Sequence, residues 1–444
     1  MNAPSKNQRL TEVLEAREIP LLSNMSLSTI ALLAFLIALV AQLTAGWLGL
    51  FRTDVLSLDF DEREYWTLSS QILSGEPMEV GRRTLLYPLT LAAVRLLADD
   101  VRIVQIVIAV FSATAAPLLA ILVNKVAASR TAAALAGLGL ALWPPQIFYG
   151  TSLYSETIAL PAFLLFLIAL PLGRGESAKP WHRWVLAGLA LGITAHIRTM
   201  YQLLLLLLPF VLWLDARRTL IAARRFGLIL LGFAIVVLPW SVHVSRALGT
   251  PTLLTANGGE TLAGGFNPNL IDRGERRVVL QKRSTWDGPG KWITPEESGY
   301  LTNAEQEALS YRDRDRLLSA RAIEWMKSNP LDVAYLAVRK LSYMWGIYPF
   351  RANGWLQAIF GNVPTILLLL FFLRALVVEP FVRRWGARLY LMPLFVSGIA
   401  LISWGSWRFR LPADAAMIGV VAMLVTVQLG RGNLTTSRPD VLLA

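Results

Sequence analysis

"LSTIALLAFLIALVAQLTAGWLGL" fills residues 27–50 without one charged side chain. About 20 apolar residues suffice for a helix to cross roughly 30 Å of hydrocarbon, so this stretch reads as a membrane span. It is not alone: "VPTILLLLFFLRALVV" (363–378) is of the same kind. Across 444 residues the chain is 55% hydrophobic and 16% charged, with mean hydropathy +0.51. A soluble globule carries about 45–50% apolar and about 25% charged residues. The sequence therefore predicts an all-α polytopic membrane protein with about ten transmembrane helices. They are expected near 27–50, 101–123, 131–149, 154–172, 184–199, 201–214, 226–242, 356–376, 389–404 and 412–429. Residues 84–98 are apolar but short and hold Pro88 and Arg95; two readings stand, an interfacial helix or an eleventh element.

The net charge of +12 sits largely in short loops between spans, which is a topology signal and not a nucleic-acid footprint. With no cysteine in the chain, disulfides, thiolate metal sites and cysteine nucleophiles are excluded. His182, His196 and His243 are scattered, so a histidine-based metal centre is not expected. The first apolar run lacks a convincing small-residue cleavage site after it and reads as an uncleaved span.

Cations cluster at Lys6, Arg9 and Arg17, then at Arg174, Lys179 and Arg183. Further groups are Arg217, Arg218, Arg224 and Arg225, and Arg374, Arg383, Arg384 and Arg388. Short cationic loops stay in the cytoplasm. The other face then receives 51–100, "YGTSLYSE" (149–156), 196–200, the long segment 243–354, and "SWGSWRFRLPAD" (403–414). The expected organisation is a cytoplasmic N-terminus (1–26) and an N-terminal transmembrane module (27–242) whose first outer loop is 51–100. A long outer loop (243–354), C-terminal spans (355–430) and a cytoplasmic tail (431–444) follow. The long loop holds 15 Lys/Arg and 12 Asp/Glu. A loop of that length crosses despite its cations. Its later part, 322–345, predicts two amphipathic helices broken at Asn329-Pro330. No internal repeat is evident.

Just past the first span, "LDFDEREYW" (58–66) places four carboxylates in six residues. From Asp61, the residues Tyr65, Leu68, Ser69, Ile72 and Leu73 recur at helical spacing, and Gly75 and Pro77 end the pattern. A structural reading is at hand: Asp59 and Glu62 stand as a capping box, stabilising the helix start by about 0.5–2 kcal/mol. That reading accounts for one acid well. It gives no reason for nine of the thirty acids falling within 54–100.

"DEREYWTLSSQILSG" (61–75) followed by "RRTLLYP" (82–88) resembles the first outer loop of GT-C membrane glycosyltransferases. The nearest resemblance is to the branch of bacterial protein O-mannosyltransferases and the lipid A aminoarabinose transferase. Three later stretches agree in order: "LYSETIALPAFLLFL" (153–167), "TANGGETLAGGFNPN" (255–269) and "WRFRLPADAAMIGV" (407–420). The resemblance implies a fold of many spans with an outer cavity, a polyprenyl-phosphate sugar donor and inversion at the anomeric carbon. The acceptor would be a hydroxyl on a glycan, lipid or protein, and membrane lipids would surround the chain. The setting implied is the bacterial cytoplasmic membrane, with the site facing the exterior.

Such chemistry asks for a carboxylate near the attacking hydroxyl and fixed cations on the departing phosphate. The resemblance implies Asp61 as general base, with Glu62 orienting it, binding sugar or helping to hold a divalent ion on oxygen ligands. Glu156 is implied as a second acid; a first-turn helix acid is the other reading. Arg82, Arg83, Arg408 and Arg410 are candidates for the donor phosphate, against snorkelling or phospholipid contact. Tyr65, Arg198, Asn257 and Asn267 are candidates for substrate contact. The pattern departs from some relatives in having Arg-Arg where they have Lys beside proline. A transporter or lipid flippase is the alternative. It is disfavoured because transporters place ionisable residues near mid-membrane on broken helices, whereas here the acids and arginines gather toward one interface.

Overall fold

The computed structural model describes residues 19–172, 180–271, 294, 298–346, 362–378 and 380–437. The expectations placed on Lys6, Arg9, Arg17, Arg174 and Lys179, and on parts of 243–354 and 431–444, lie outside the described residues, as do the side chains of Arg383, Arg384 and Arg388. No strand occurs among the described residues.

The helices that matter are α1 (Leu27–Ala45), α2 (Phe60–Ser74), α3 (Leu86–Arg95), α4 (Val101–Ala113) and α5 (Ala115–Ala127). Then come α6 (Arg130–Ala141), α7 (Pro144–Gly150), α8 (Glu156–Ala169), α9 (Trp181–Ile197), α10 (Leu204–Ala216) and α11 (Thr219–Leu248). The long segment supplies α12 (Gly258–Gly265), α13 (Asn303–Ala308), α14 (Tyr311–Ser328) and α15 (Pro330–Met344). The chain closes with α16 (Val363–Val378), α17 (Pro380–Ile402) and α18 (Trp407–Ser437).

Among the described residues five stretches are long and apolar enough to cross a membrane: Leu27–Leu50, Val101–Ala127, Thr199–Ala216, Thr219–Leu248 and Trp407–Leu429. The pair α6 and α7, bent by 55°, makes a sixth when taken together. Near 154–172, 356–376 and 389–404 the expected spans are shorter apolar helices. Prolines explain the interruptions, since a proline ring removes one ladder hydrogen bond and clashes with the carbonyl four residues back. Pro117 sits just past the α4–α5 break at Thr114, and Pro144-Pro145 start α7 at the bend.

Most of the core is a single apolar cluster running through this bundle. The tightest seam joins α9 to α11. Gly188 faces the Ile229 carbonyl and Gly232 faces the Val185 carbonyl, with no space for a Cβ at either, the close backbone approach that small residues permit between helices in lipid.

The short helix read from "DFDEREYW" forms as α2. Glu62 accepts from the Asp59 amide at 2.9 Å, and the helix stops at Gly75 in the left-handed conformation. Tyr65, Leu68 and Ser69 are buried as the spacing predicted, whereas Leu73 is exposed. The break at Asn329-Pro330 also stands where expected, between α14 and α15.

Candidate functional site

Helices α8, α10 and α18 begin, and α9 and α17 end, around one cavity of about 1340 Å³. The far ends of α5, α8, α10 and the start of α11 lie at the opposite end of the bundle. There Lys125 donates to the Ile168 carbonyl and Arg225 pairs with Asp215 at 3.0 Å. The cavity is thus a property of one end of the bundle. Its roof comes from the long segment, which is tied down by a hydrogen bond from the Ala256 amide to the Gly81 carbonyl.

A chain of alternating charges crosses the cavity wall. Glu260 holds Arg82 at 3.1 Å, Arg82 reaches Glu64 at 3.5 Å, and Glu64 pairs with Arg83 at 2.7 Å. Arg83 pairs with Asp61 at 2.8 Å through Oδ1, and Arg408 takes the other oxygen, Oδ2, at 2.7 Å. Arg408 also contacts Glu156 at 3.2 Å, and Glu156 pairs with Arg198 at 2.7 Å. Residues 347 positions apart in the chain, Asp61 and Arg408, meet here directly. Aromatic faces back the cations: Arg83 lies over Tyr65 at 4.9 Å and Arg408 over Tyr154 at 4.5 Å. Burial pushes the Asp61 carboxyl up, but Arg83 and Arg408 outweigh it and hold that group well below the usual carboxylate range. Burial pushes the Glu260 carboxyl up, partly offset by Arg82 and Arg83.

The cavity lining also includes apolar side chains: Met200 and Leu203 from the α9–α10 joint, and Ile399, Ile402, Trp404 and Phe409 from around the α17–α18 turn.

Of the residues expected at the site, Asp61, Tyr65, Arg82, Arg83, Arg198, Asn257 and Arg408 line the cavity. Tyr65 donates to Ser155 Oγ at 3.3 Å, and Asn257 donates to the Arg82 carbonyl at 3.4 Å. Glu156 stands directly behind Arg408, 4% exposed at the first turn of α8.

Three residues are placed elsewhere. Glu62 does not reach the cavity: its two oxygens accept from the Asp59 and Leu153 amides, so it fastens the start of α2 to the turn before α8. Burial pushes its carboxyl up despite those two amides. Asn267 is buried, donating to the Ala263 carbonyl and accepting from the Asn269 amide, a local turn brace. Arg410 is wholly buried inside the bundle, held by Asp414 at 2.8 Å and the Met344 carbonyl at 2.6 Å. The helix carrying it starts at Trp407 and not near 412, so Arg408 and Arg410 leave on opposite faces.

Sequence reading did not single out Glu260 or Glu64. Glu260 is the one acid in the glycine-rich stretch 255–269, part of which forms α12 with the acid in its first turn. Lys340 on α15 was also passed over. It is buried behind the 403–406 turn with its Nζ 3.2 Å from the centroid of the Phe266 ring and no hydrogen-bond partner. Burial brings its amine down to about 7. Two glycines seat it: Gly265 lies against the Ser403 carbonyl and Gly405 against the Lys340 carbonyl.

A divalent cation here would need oxygen ligands. Among the described residues no group of three or more His, Cys, Asp or Glu gathers. Asp61 already gives both oxygens to guanidinium groups, and Glu260 faces Arg82. This donor set, interleaved with arginines, does not fit a hard cation, which takes six or more oxygen ligands.

No protein-family model matches the sequence, and no curated protein matches it. Solved structures do. The archaeal oligosaccharyltransferase AglB from Archaeoglobus fulgidus, in complex with an inhibitory peptide and a dolichol-phosphate, aligns at TM-score 0.50 and 14% identity over 90% of this chain and 50% of that one. The apo form of the Archaeoglobus fulgidus oligosaccharyltransferase gives 0.48 at 14% identity, over 90% and 50%. ArnT from Cupriavidus metallidurans, bound to undecaprenyl phosphate, gives 0.42 at 12% identity, over 92% and 78%. The chain spans about half the length of the oligosaccharyltransferase it matches. What is shared at 14% identity is the fold alone: the chain has the architecture of the membrane part of the chain it aligns with in the Archaeoglobus fulgidus structure.

Proposed function

We propose that this protein is an inverting glycosyltransferase that moves a sugar from a polyprenyl-phosphate donor to an acceptor hydroxyl. The carrying observation is the meeting of Asp61 with Arg83 and Arg408, backed by Glu156, in a cavity that also has apolar lining. A lipid-linked sugar phosphate needs such a mixed surface: apolar side chains for the prenyl chain, guanidinium groups for phosphate, and a carboxylate for the attacking hydroxyl. Asp61 takes the acceptor proton as the new C–O bond forms. The bond from the anomeric carbon to phosphate oxygen breaks, and Arg83 and Arg408 meet the charge left on the phosphate. Glu156 and Arg198 hold Arg408 in place. Arg82, engaged by Glu64 and Glu260, joins the long segment to the catalytic loop, and Glu260 with Asn257 contacts the sugar or the acceptor.

The site opens to the exterior of the bacterial cytoplasmic membrane in this reading, with both chain ends in the cytoplasm. A topology reporter at residue 300 is expected to read exterior; a cytoplasmic signal would contradict that orientation. The acceptor is a glycan, a lipid or a protein, chosen through 243–354.

One observation speaks for the transporter alternative: the bent α6–α7 pair lies beside the buried Arg410–Asp414 pair, with Trp143 donating to Asp414 at 2.9 Å. Although Phe148 and Tyr149 of α7 line the cavity, Trp143, Arg410 and Asp414 do not. The deciding experiment is turnover of purified protein with a panel of polyprenyl-phosphate sugars and mass analysis of products. No transfer with any donor, together with movement of lipid-linked sugar between leaflets, would favour the alternative.

A further inference from the structure

Both oxygens of Asp61 are engaged by the two cations best placed to receive a donor phosphate. A carboxylate so held is a weak base, because accepting a proton would weaken its contacts with two part-buried guanidinium groups. Resting on the donor reading above, we infer that Asp61 is a stand-in for the phosphate: the incoming lipid phosphate takes over Arg83 and Arg408, and only then is Asp61 free to deprotonate the acceptor.

Three observations support the exchange. Each guanidinium has a second carboxylate, Glu64 for Arg83 and Glu156 for Arg408, so neither loses its place when Asp61 lets go. Arg83 also keeps a buried Nε–H with no partner, a donor in reserve for an added oxygen. Finally, the charges balance through the reaction. The donor phosphate is a diester with one negative charge. Its ester bond to the anomeric carbon breaks with the electron pair on oxygen, giving a monoester dianion. The acceptor proton meanwhile neutralises Asp61. The negative charge that Asp61 gives up is the one the phosphate gains, a few ångströms away and between the same two arginines. Donor binding therefore precedes productive acceptor binding, and the base is masked whenever the donor is absent.

The test is competition. Undecaprenyl phosphate and undecaprenol are titrated into purified wild-type protein, Asp61→Asn and Asp59→Asn. Asp59 borders the same cavity but is half exposed and touches neither Arg83 nor Arg408. Removing the competitor is expected to tighten undecaprenyl phosphate about tenfold in Asp61→Asn, the scale of one charge-assisted hydrogen bond. Asp59→Asn is expected to change it twofold or less. Equal affinity in Asp61→Asn and wild type, or an equal gain in Asp59→Asn, would overturn the exchange while leaving the donor reading intact. Wild-type protein that binds undecaprenol as tightly as undecaprenyl phosphate would overturn the donor reading and the exchange together. Asp61→Ser is the second variant if the asparagine protein does not fold.

Discussion

Arg408 and Arg410 stand two residues apart on one helix, and each is paired with an aspartate. Arg408 meets Asp61 across 347 positions of sequence at the cavity wall. Arg410 meets Asp414 one turn along its own helix, with neither side chain exposed. At 3.6 residues per turn, two positions amount to about 200° of rotation. The first pair is therefore turned to the cavity, and the second is turned into the bundle, where it also takes in Trp143 and the Met344 carbonyl. The same chemical pair borders the cavity in one place and braces the bundle in the other, and helical phase decides which.

The contrast is sharpest under substitution. Arg410→Ala leaves Asp414 buried with its charge uncompensated, a loss of about 3–5 kcal/mol, and is expected to abolish recovery of folded protein. Arg410→Met with Asp414→Leu is expected to restore most of it. Wild-type thermal unfolding of the single variant would erase the distinction between the pairs. Asp61→Asn should instead leave unfolding within a few degrees of wild type, because Arg83 and Arg408 retain Glu64 and Glu156. Transfer should fall by about 10²–10⁴, read as product formed per minute; undiminished turnover would return Asp61 to a structural role. Arg408→Ala is expected to lower transfer by about 10²–10³, with the loss concentrated in donor dependence.

Lys340 offers a smaller, pH-resolved effect. Its amine is brought down to about 7 in the folded protein, against about 10.4 when unfolded. Between those values the unfolded chain binds the extra proton, so stability rises with pH across that window. Lys340→Met is expected to flatten the rise and to unfold at higher temperature than wild type at pH 7; an unchanged slope between pH 7 and 9 would show that the amine is solvated. The smallest effect belongs to Glu62→Gln, about 1 kcal/mol from one weakened amide contact, with transfer retained.

What the sequence disclosed follows from the range of the forces involved. Apolar runs report themselves locally, so five of the expected spans, a sixth as the bent α6–α7 pair, and the short helix after Asp59 were readable. So was the helix stop at Gly75. The convergence of Asp61 with Arg408 is long-range, and only the shared order of short motifs hinted at it. Arg410 was misplaced because Pro412 resembles a helix boundary, whereas the helix starts five residues earlier and carries that proline near its beginning. Glu260 escaped notice because its stretch is rich in glycine, yet Gly259 and Gly265 are there for close packing.

That packing sets the terms for re-engineering the protein. Gly259 lies against the Asp315 carbonyl, Gly265 against Ser403 and Gly405 against Lys340, so the long segment touches itself and the bundle backbone to backbone. Grafting a foreign hood onto this scaffold to redirect its product would require importing all three glycine seats and their facing carbonyls as one inseparable cassette.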